Sequence, residues 1–272
     1  MSGIIGFVIL IIAVIAAIAY FAGARKKQQR INDQLNLPFP GSWKSILQEN
    51  VLFYAELDDT DKSLFEKRVK LFLADKAIQG IDTEINDAIR LMVASSAVIP
   101  TFAFPGYNYP HVHTILIYPN SFDEQFRTNR FLGHQEFITG IVGNRSLNGT
   151  VILSRPDLIS GFNGRPNEAN VGIHEFVHLL DKEDGAIDGI PEILIQRPFV
   201  GPWLNEIKNE IKLIEKGNSD INPYALTNNA EFLAVVSEYF FDNPVKFQNR
   251  HPALFSFLSA IFNTPKSKGL PA

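Results

Sequence analysis

The chain begins with a run of apolar positions that no later segment matches in length. No charged side chain occurs from Met1 to Ala24, and Ile4 to Phe21 is almost entirely apolar. A bilayer core of about 30 Å needs roughly 20 residues of helix, so this segment is long enough to span. Ala22-Gly23-Ala24 also resembles a signal cleavage site. Against cleavage, no basic side chain precedes the run, and the run is long for a signal core. Arg25, Lys26, Lys27 and Arg30 follow directly, and by the positive-inside rule they hold that end in the cytoplasm. The expectation is a single-pass anchor (residues 1–24) in the inner (cytoplasmic) membrane, with the remainder cytoplasmic. The alternative, signal cleavage, would leave the remainder periplasmic or secreted.

Residues 25–45 read as a basic, Gln-rich linker broken by Pro38, Pro40 and Gly41. One domain is expected over 46–265, followed by a short tail at 266–272. Leu64, Phe65, Val69, Phe72 and Leu73 recur at helical spacing after an N-cap at Thr60, and Ile85, Ile89, Met92 and Val93 do so after Asp82. Pro100 stops that second helix. The middle of the chain is strand-like. Thr114 to Tyr118 is short and β-branched, and Ile141-Val142 and Thr150 to Leu153 flank the turn dipeptide Asn148-Gly149. Helices return at about 168–182, 203–216, 229–241 and 245–262. Helices, a small antiparallel sheet, then helices is an α+β pattern.

Composition narrows the chemistry. A formal net charge of −4 over 272 residues argues against a nucleic-acid binder. There are no cysteines, which removes disulfides, thiolate metal sites and a cysteine nucleophile. A metal site must therefore come from Asp, Glu and the six histidines.

His174-Glu175-Phe176-Val177-His178 supplies one. Residues four apart on a helix share a face, so His174 and His178 can both address one zinc ion. Glu175 lies beside that face, placed to take a proton from a zinc-bound water whose pKa the metal lowers to about 7. The bland alternative is a helix with two partly buried histidines satisfied by Glu175 and Asp181. A catalytic zinc needs a third protein ligand. Glu231 and Glu238 both lie on a downstream helix, about 10 Å apart along its axis, so they cannot bind one ion together. Asn228-x-x-Glu231 also reads as a capping box. Spacing does not choose between the two carboxylates. Asp181, one turn beyond His178, could orient a ligand imidazole from behind, and Glu238 could do the same for His174. Thr150, Val151, Ile152 and Leu153, an edge strand before the metal helix, could pair with an extended peptide.

The run from His174 to Asp181, with Asp184-Gly185 and Asp188-Gly-Ile-Pro191, resembles the Mlc titration factor A family of zinc-dependent peptidases, as does Ala230 to Phe241. The likeness extends to the catalytic domain of anthrax lethal factor, in which a Tyr lies seven residues before the ligating Glu. That resemblance implies a zincin-like, gluzincin-type metallopeptidase domain holding one Zn2+ per chain. It further implies His174, His178 and Glu231 as ligands, Glu175 as general base, and Tyr224 as donor to the oxyanion. The expected function is peptide-bond hydrolysis by a membrane-anchored enzyme acting on a peptide or protein substrate. The rival is a regulatory module that sequesters a partner such as a transcriptional repressor, with weak or latent activity. His111, His113, His134 and His251 are read as structural or solvent-facing.

Overall fold

The computed structural model describes residues 2–104, 106–120, 140–142, 149–163 and 169–262. Helix α1 (Ser2–Asn36) is continuous through both the apolar run and the basic residues after it. It is the one helix among the described residues that is long and apolar enough to cross a membrane, which suits an anchor or a signal sequence. The linker expected over 25–45 is instead largely helical. The chain leaves α1 only at 37–40, before α2 (Gly41–Asn50), because Pro38 and Pro40 cannot continue the helical ladder. The end of α1 is docked: Ile31 is buried, Lys27 pairs with Asp75 at 2.6 Å, and Arg30 donates to the Ala74 carbonyl. Lys70 donates in turn to the carbonyls of Leu35 and Leu37.

After α3 (Leu52–Glu56), α4 (Asp59–Asp75) starts at an Asp58 cap that accepts the Asp61 N–H. The cap thus lies two residues before the expected Thr60. Strand β1 (Ala77–Gly80) and helix α5 (Asp87–Val98) follow, the helix capped by Asn86 rather than Asp82. Every residue from Leu91 to Val98 is buried, so α5 is the central rod of the core. It ends at Val98, just before the expected stop at Pro100, and a 3-10 turn at Ile99–Thr101 follows.

The sheet corrects the sequence reading. Its order is β1-β2-β4-β3, with β2 at Thr114–Tyr118, β3 at Gly140–Val142 and β4 at Thr150–Ser154. The β1–β2 and β2–β4 pairs are parallel, and only the three-residue β3 runs antiparallel, against β4. The expected antiparallel sheet is therefore a small parallel one with a short antiparallel flank. The reason is topological: α5 lies between β1 and β2, and a helical crossover returns the chain in the same direction. Strand β1 escaped notice because Ala-Ile-Gln-Gly is four residues with one strong apolar position. Gly149 has φ +81°, suited to the expected turn, while Asn148, His134 and the tail at 266–272 lie outside the described residues.

Strand β4 also overturns the substrate-edge expectation for Val151, Ile152 and Leu153, while Thr150 pairs with Thr114 of β2. Val151 to Leu153 are paired with β2 on one side and β3 on the other, so no free edge exists there.

Helix α6 (Arg155–Gly161) leads to α7 (Val171–Asp181), which carries the His-Glu-x-x-His run. Gly172 permits its close approach to α5, since a Cβ there would meet Ser96 Oγ at 2.0 Å. Beyond it come α8 (Arg197–Glu215), α9 (Asn229–Asp242), α10 (Pro244–Arg250) and α11 (Pro252–Phe262). The single helix expected at 245–262 is broken at His251-Pro252, where proline removes a ladder donor.

Candidate metal centre

Two packed helices build the site, α7 and α9. Asn170 caps α7 by accepting the Ile173 N–H at 3.1 Å, and His174 and His178 then fall on its face toward α9. At the start of α9, Asn228 Oδ1 accepts the Glu231 N–H at 2.9 Å. This is one half of a capping box. The Glu231 carboxylate does not serve as the other half; it is turned toward the histidines.

Three lone-pair atoms converge. His174 Nε2 lies 3.0 Å from His178 Nε2 and 3.0 Å from Glu231 Oε2, and His178 Nε2 is 3.4 Å from the same oxygen. Ligands held about 2.1 Å from a tetrahedral ion stand roughly 3.4 Å apart, so the triangle matches a metal-sized cluster. Its three residues are the group among the described residues whose donor atoms could hold a metal ion.

Behind His174, Nδ1 lies 2.6 Å from Glu238 Oε1, and Glu238 Oε2 accepts the Asn170 N–H at 2.7 Å. A carboxylate on Nδ1 keeps the proton there and leaves the Nε2 lone pair pointing into the cluster. Glu231 and Glu238 thus address opposite nitrogens of one imidazole, which is how both fit on α9 beside a single ring. Sequence reasoning passed over Asn170, although an Asn just before an apolar helical run is an N-cap signal.

The electrostatics favour a cation. Burial alone would lower the His174 pKa, yet hydrogen bonds to Glu231 and Glu238 raise it well above the ordinary histidine value. Burial would raise Glu231, but its contacts with His174 and His178 bring it down to about 2. A proton and a metal ion therefore compete for the same lone pair. Glu175 is buried, and its pKa is raised above the usual carboxylate value by that burial, with His174 and His178 opposing.

Tyr224 sits on a 3-10 turn at Pro223–Leu226, half exposed, its ring centroid 6.1 Å from that of His174. Asp181 departs from expectation. It is fully buried and accepts the Gly189 N–H at 2.9 Å rather than bonding a ligand imidazole. His178 Nδ1 and Asp181 Oδ1 are both buried without a hydrogen-bond partner among the described residues. One turn beyond His178, the Asp181 carboxylate reaches the loop after α7 instead. Burial pushes its pKa up to about 6, with the Gly189 amide holding it back.

That loop is a joint. The Gly189 carbonyl accepts from Trp203 Nε1 at 2.8 Å, and Gly189 abuts the first residue of α9. Its φ is +78°, and a Cβ would meet the Asn229 carbonyl oxygen at 2.3 Å. Gly189→Ala should cost about 3 kcal/mol from backbone strain and overpacking. Thermal denaturation would then show a Tm roughly 5–10 °C lower. An unchanged Tm would mean that the loop does not brace α9.

His251, read as an isolated structural or solvent-facing residue, is buried with a carboxylate at each ring nitrogen. His111 is exposed, with Glu183 as its nearest carboxylate at 3.9 Å.

The sequence model described as "Glucose-regulated metallo-peptidase M90" matches residues 24–263. An uncharacterized protein of Synechocystis is 29% identical over 238 residues, covering 83% of this chain and 84% of its own. The protein named Mlc titration factor A of Klebsiella pneumoniae is 30% identical over 226 residues, 78% of this chain and 82% of that one. Its namesake in Salmonella agona is 33% identical over 168 residues, 58% and 62% of the two chains. The family match begins at residue 24, so the apolar run lies before it.

Proposed function

We propose a membrane-anchored, zinc-dependent peptidase, proceeding from the fact that the chain belongs to the Mlc titration factor A family of metallopeptidases. The observation that carries the reading is the convergence of His174 Nε2, His178 Nε2 and Glu231 Oε2 within 3.0–3.4 Å. Two imidazole nitrogens and one carboxylate oxygen, with no thiolate, form a donor set suited to a catalytic zinc. When bound, zinc would polarise the scissile carbonyl and acidify the attacking water.

The chain's own groups would do the rest. Glu175, a desolvated carboxylate beside the ligand pair, accepts the proton of the attacking water and returns it to the leaving amine. Tyr224, at the exposed rim above His174, donates a hydrogen bond to the developing oxyanion. Glu238 keeps His174 in the tautomer that ligates. Helix α1 would hold this domain at the membrane, on the cytoplasmic face by the charges of Arg25, Lys26, Lys27 and Arg30.

The name of the relatives favours a second reading, in which this chain also binds a regulatory protein as theirs implies for Mlc. The two readings differ in whether turnover matters.

Metal analysis of the full chain purified in detergent is the test. We expect one zinc per chain, casein hydrolysis that a chelator abolishes, and recovery when zinc is restored. Protein prepared with zinc present throughout that still carries no metal would end the hydrolase reading.

A further inference from the structure

Outside the metal centre, a dense cluster of titratable groups among the described residues surrounds His251, at the break between α10 and α11. Its side chain is only 6% exposed. Nδ1 lies 3.2 Å from Glu210 Oε1 of α8, and Nε2 lies 2.7 Å from Asp220 Oδ1 of the segment joining α8 to α9. An imidazole with carboxylates at both nitrogens satisfies both only as imidazolium, since the neutral ring has one N–H. From α9, the Tyr239 hydroxyl donates to Asp220 Oδ2 at 3.0 Å, and its ring stands 6.0 Å from that of His251. From α10, Lys246 and Arg250 approach the same oxygen at 3.1 and 3.5 Å. Helix α11 contributes no titratable side chain.

What the cluster grips is the segment leading to Tyr224. Ser219 donates to Glu210 Oε1 at 2.6 Å, fixing the segment's start beside Asp220. Ile221 is buried, Asn222 Oδ1 accepts the Tyr224 N–H at 3.0 Å, and Ala225 is buried. The Tyr224 carbonyl then accepts from the Thr227 hydroxyl at 2.8 Å, just ahead of the Asn228 cap of α9. The backbone around Tyr224 is therefore held between two anchors, the His251 cluster and the start of α9.

We propose that His251, clamped between Glu210 and Asp220, is a positioning residue that sets Tyr224 over the metal centre. The inference rests on the zinc-peptidase reading, in which Tyr224 serves the oxyanion. The charge state agrees with it. Burial alone would lower the His251 pKa, but Glu210 and Asp220 raise it above the ordinary value of 6.5. A group raised on folding stabilises fully below its unfolded pKa and loses that contribution as pH rises through the folded one. The clamp is thus closed in mildly acidic solution and loosens on the alkaline side.

The experiment places 4-fluorophenylalanine, whose ring carries no ionisable hydroxyl, at position 224 of the zinc-loaded full chain in detergent and follows its fluorine resonance from about pH 6 to about 9. In wild type the resonance should move as pH rises through the His251 transition. In His251→Gln it should be displaced already and insensitive to pH, with metal content unchanged. For casein hydrolysis, His251→Gln should lower kcat about tenfold with KM unchanged, less than the ~10²–10³ expected for losing an oxyanion donor outright. Added to Tyr224→Phe, it should lower kcat no further. A folded His251→Gln with the wild-type resonance and pH response, or with a kcat loss that adds to that of Tyr224→Phe, overturns the proposal. If His251→Gln does not fold, Asp220→Asn, at a more exposed side chain, is judged by the same resonance. Zinc-loaded wild type that fails to cleave casein would count against the peptidase reading, and the resonance would still decide the clamp.

Discussion

Exchanging Glu175 for Gln will lower peptide hydrolysis by roughly 10³-fold while the protein keeps its fold and its metal. The substitution preserves shape and removes only the ability to accept a proton. Glu175 contributes no atom to the convergent triangle, so metal content should stay at the wild-type value. Stability should not fall either. The carboxylate is buried and its pKa is raised, so folding works against its ionised form at neutral pH, and a neutral amide removes that penalty. The combination of lost turnover, retained metal and an undiminished Tm marks a general base. A base must be ionised to act, so wild-type activity should fall as pH drops through the Glu175 titration, and the Gln variant should lack that limb. The same variant separates the two functional readings. Sequestering a regulatory protein needs no proton acceptor, so partner binding should survive Glu175→Gln where hydrolysis does not.

The two candidate metal-ligating histidines were readable in the sequence because their geometry is local. Four residues along one helix bring His174 and His178 together whatever the rest of the chain does. The third candidate ligand was not readable from spacing, because Glu231 and Glu238 share a face of α9 and both touch His174, at opposite ring nitrogens. Which one meets Nε2 depends on how α9 slides past α7, and that is set by packing. Asp181 shows the same limit. Its position one turn after His178 suggests an imidazole partner, but nothing local announces the loop whose Gly189 N–H takes one of its oxygens.

Long-range pairing hid the remainder. The strand at Thr114–Tyr118 was legible from its β-branched run, yet its direction relative to its neighbours was not, because nothing local encodes a crossover. Asn148-Gly149 announced a hairpin, which led the whole sheet to be read as antiparallel. Only the β3–β4 pair follows that pattern, and its presence removes the free edge expected at Val151 to Leu153. His251 looked isolated because Asp220 and Glu210 lie 31 and 41 residues away in sequence.

Metal affinity should separate the two carboxylates of α9, and here the second large effect is expected. Glu231→Ala removes a converging oxygen, and its loss of affinity should exceed the ~10–100-fold typical of losing a group that orients a ligand. The helix itself should survive, because Asn228 caps α9 through the backbone N–H of residue 231, which alanine retains. Glu238→Gln should fall within that 10–100-fold range. Glu238 accepts at both oxygens, from His174 Nδ1 and from the Asn170 N–H, and an amide can accept at only one. Whichever donor loses its partner, His174 or the cap of α7 is left less firmly set. In both variants metal binding should weaken as pH falls, since a proton must leave His174 for a metal to enter. Removing either carboxylate lowers the pKa of that ring, so the pH at which binding fails should shift downward even as affinity at high pH declines. Competition titrations against a zinc chelator across pH measure both quantities. Loss of metal from Glu238→Gln but not from Glu231→Ala would reverse the assignment of ligand and support. Retention by both would move the metal away from α9 altogether.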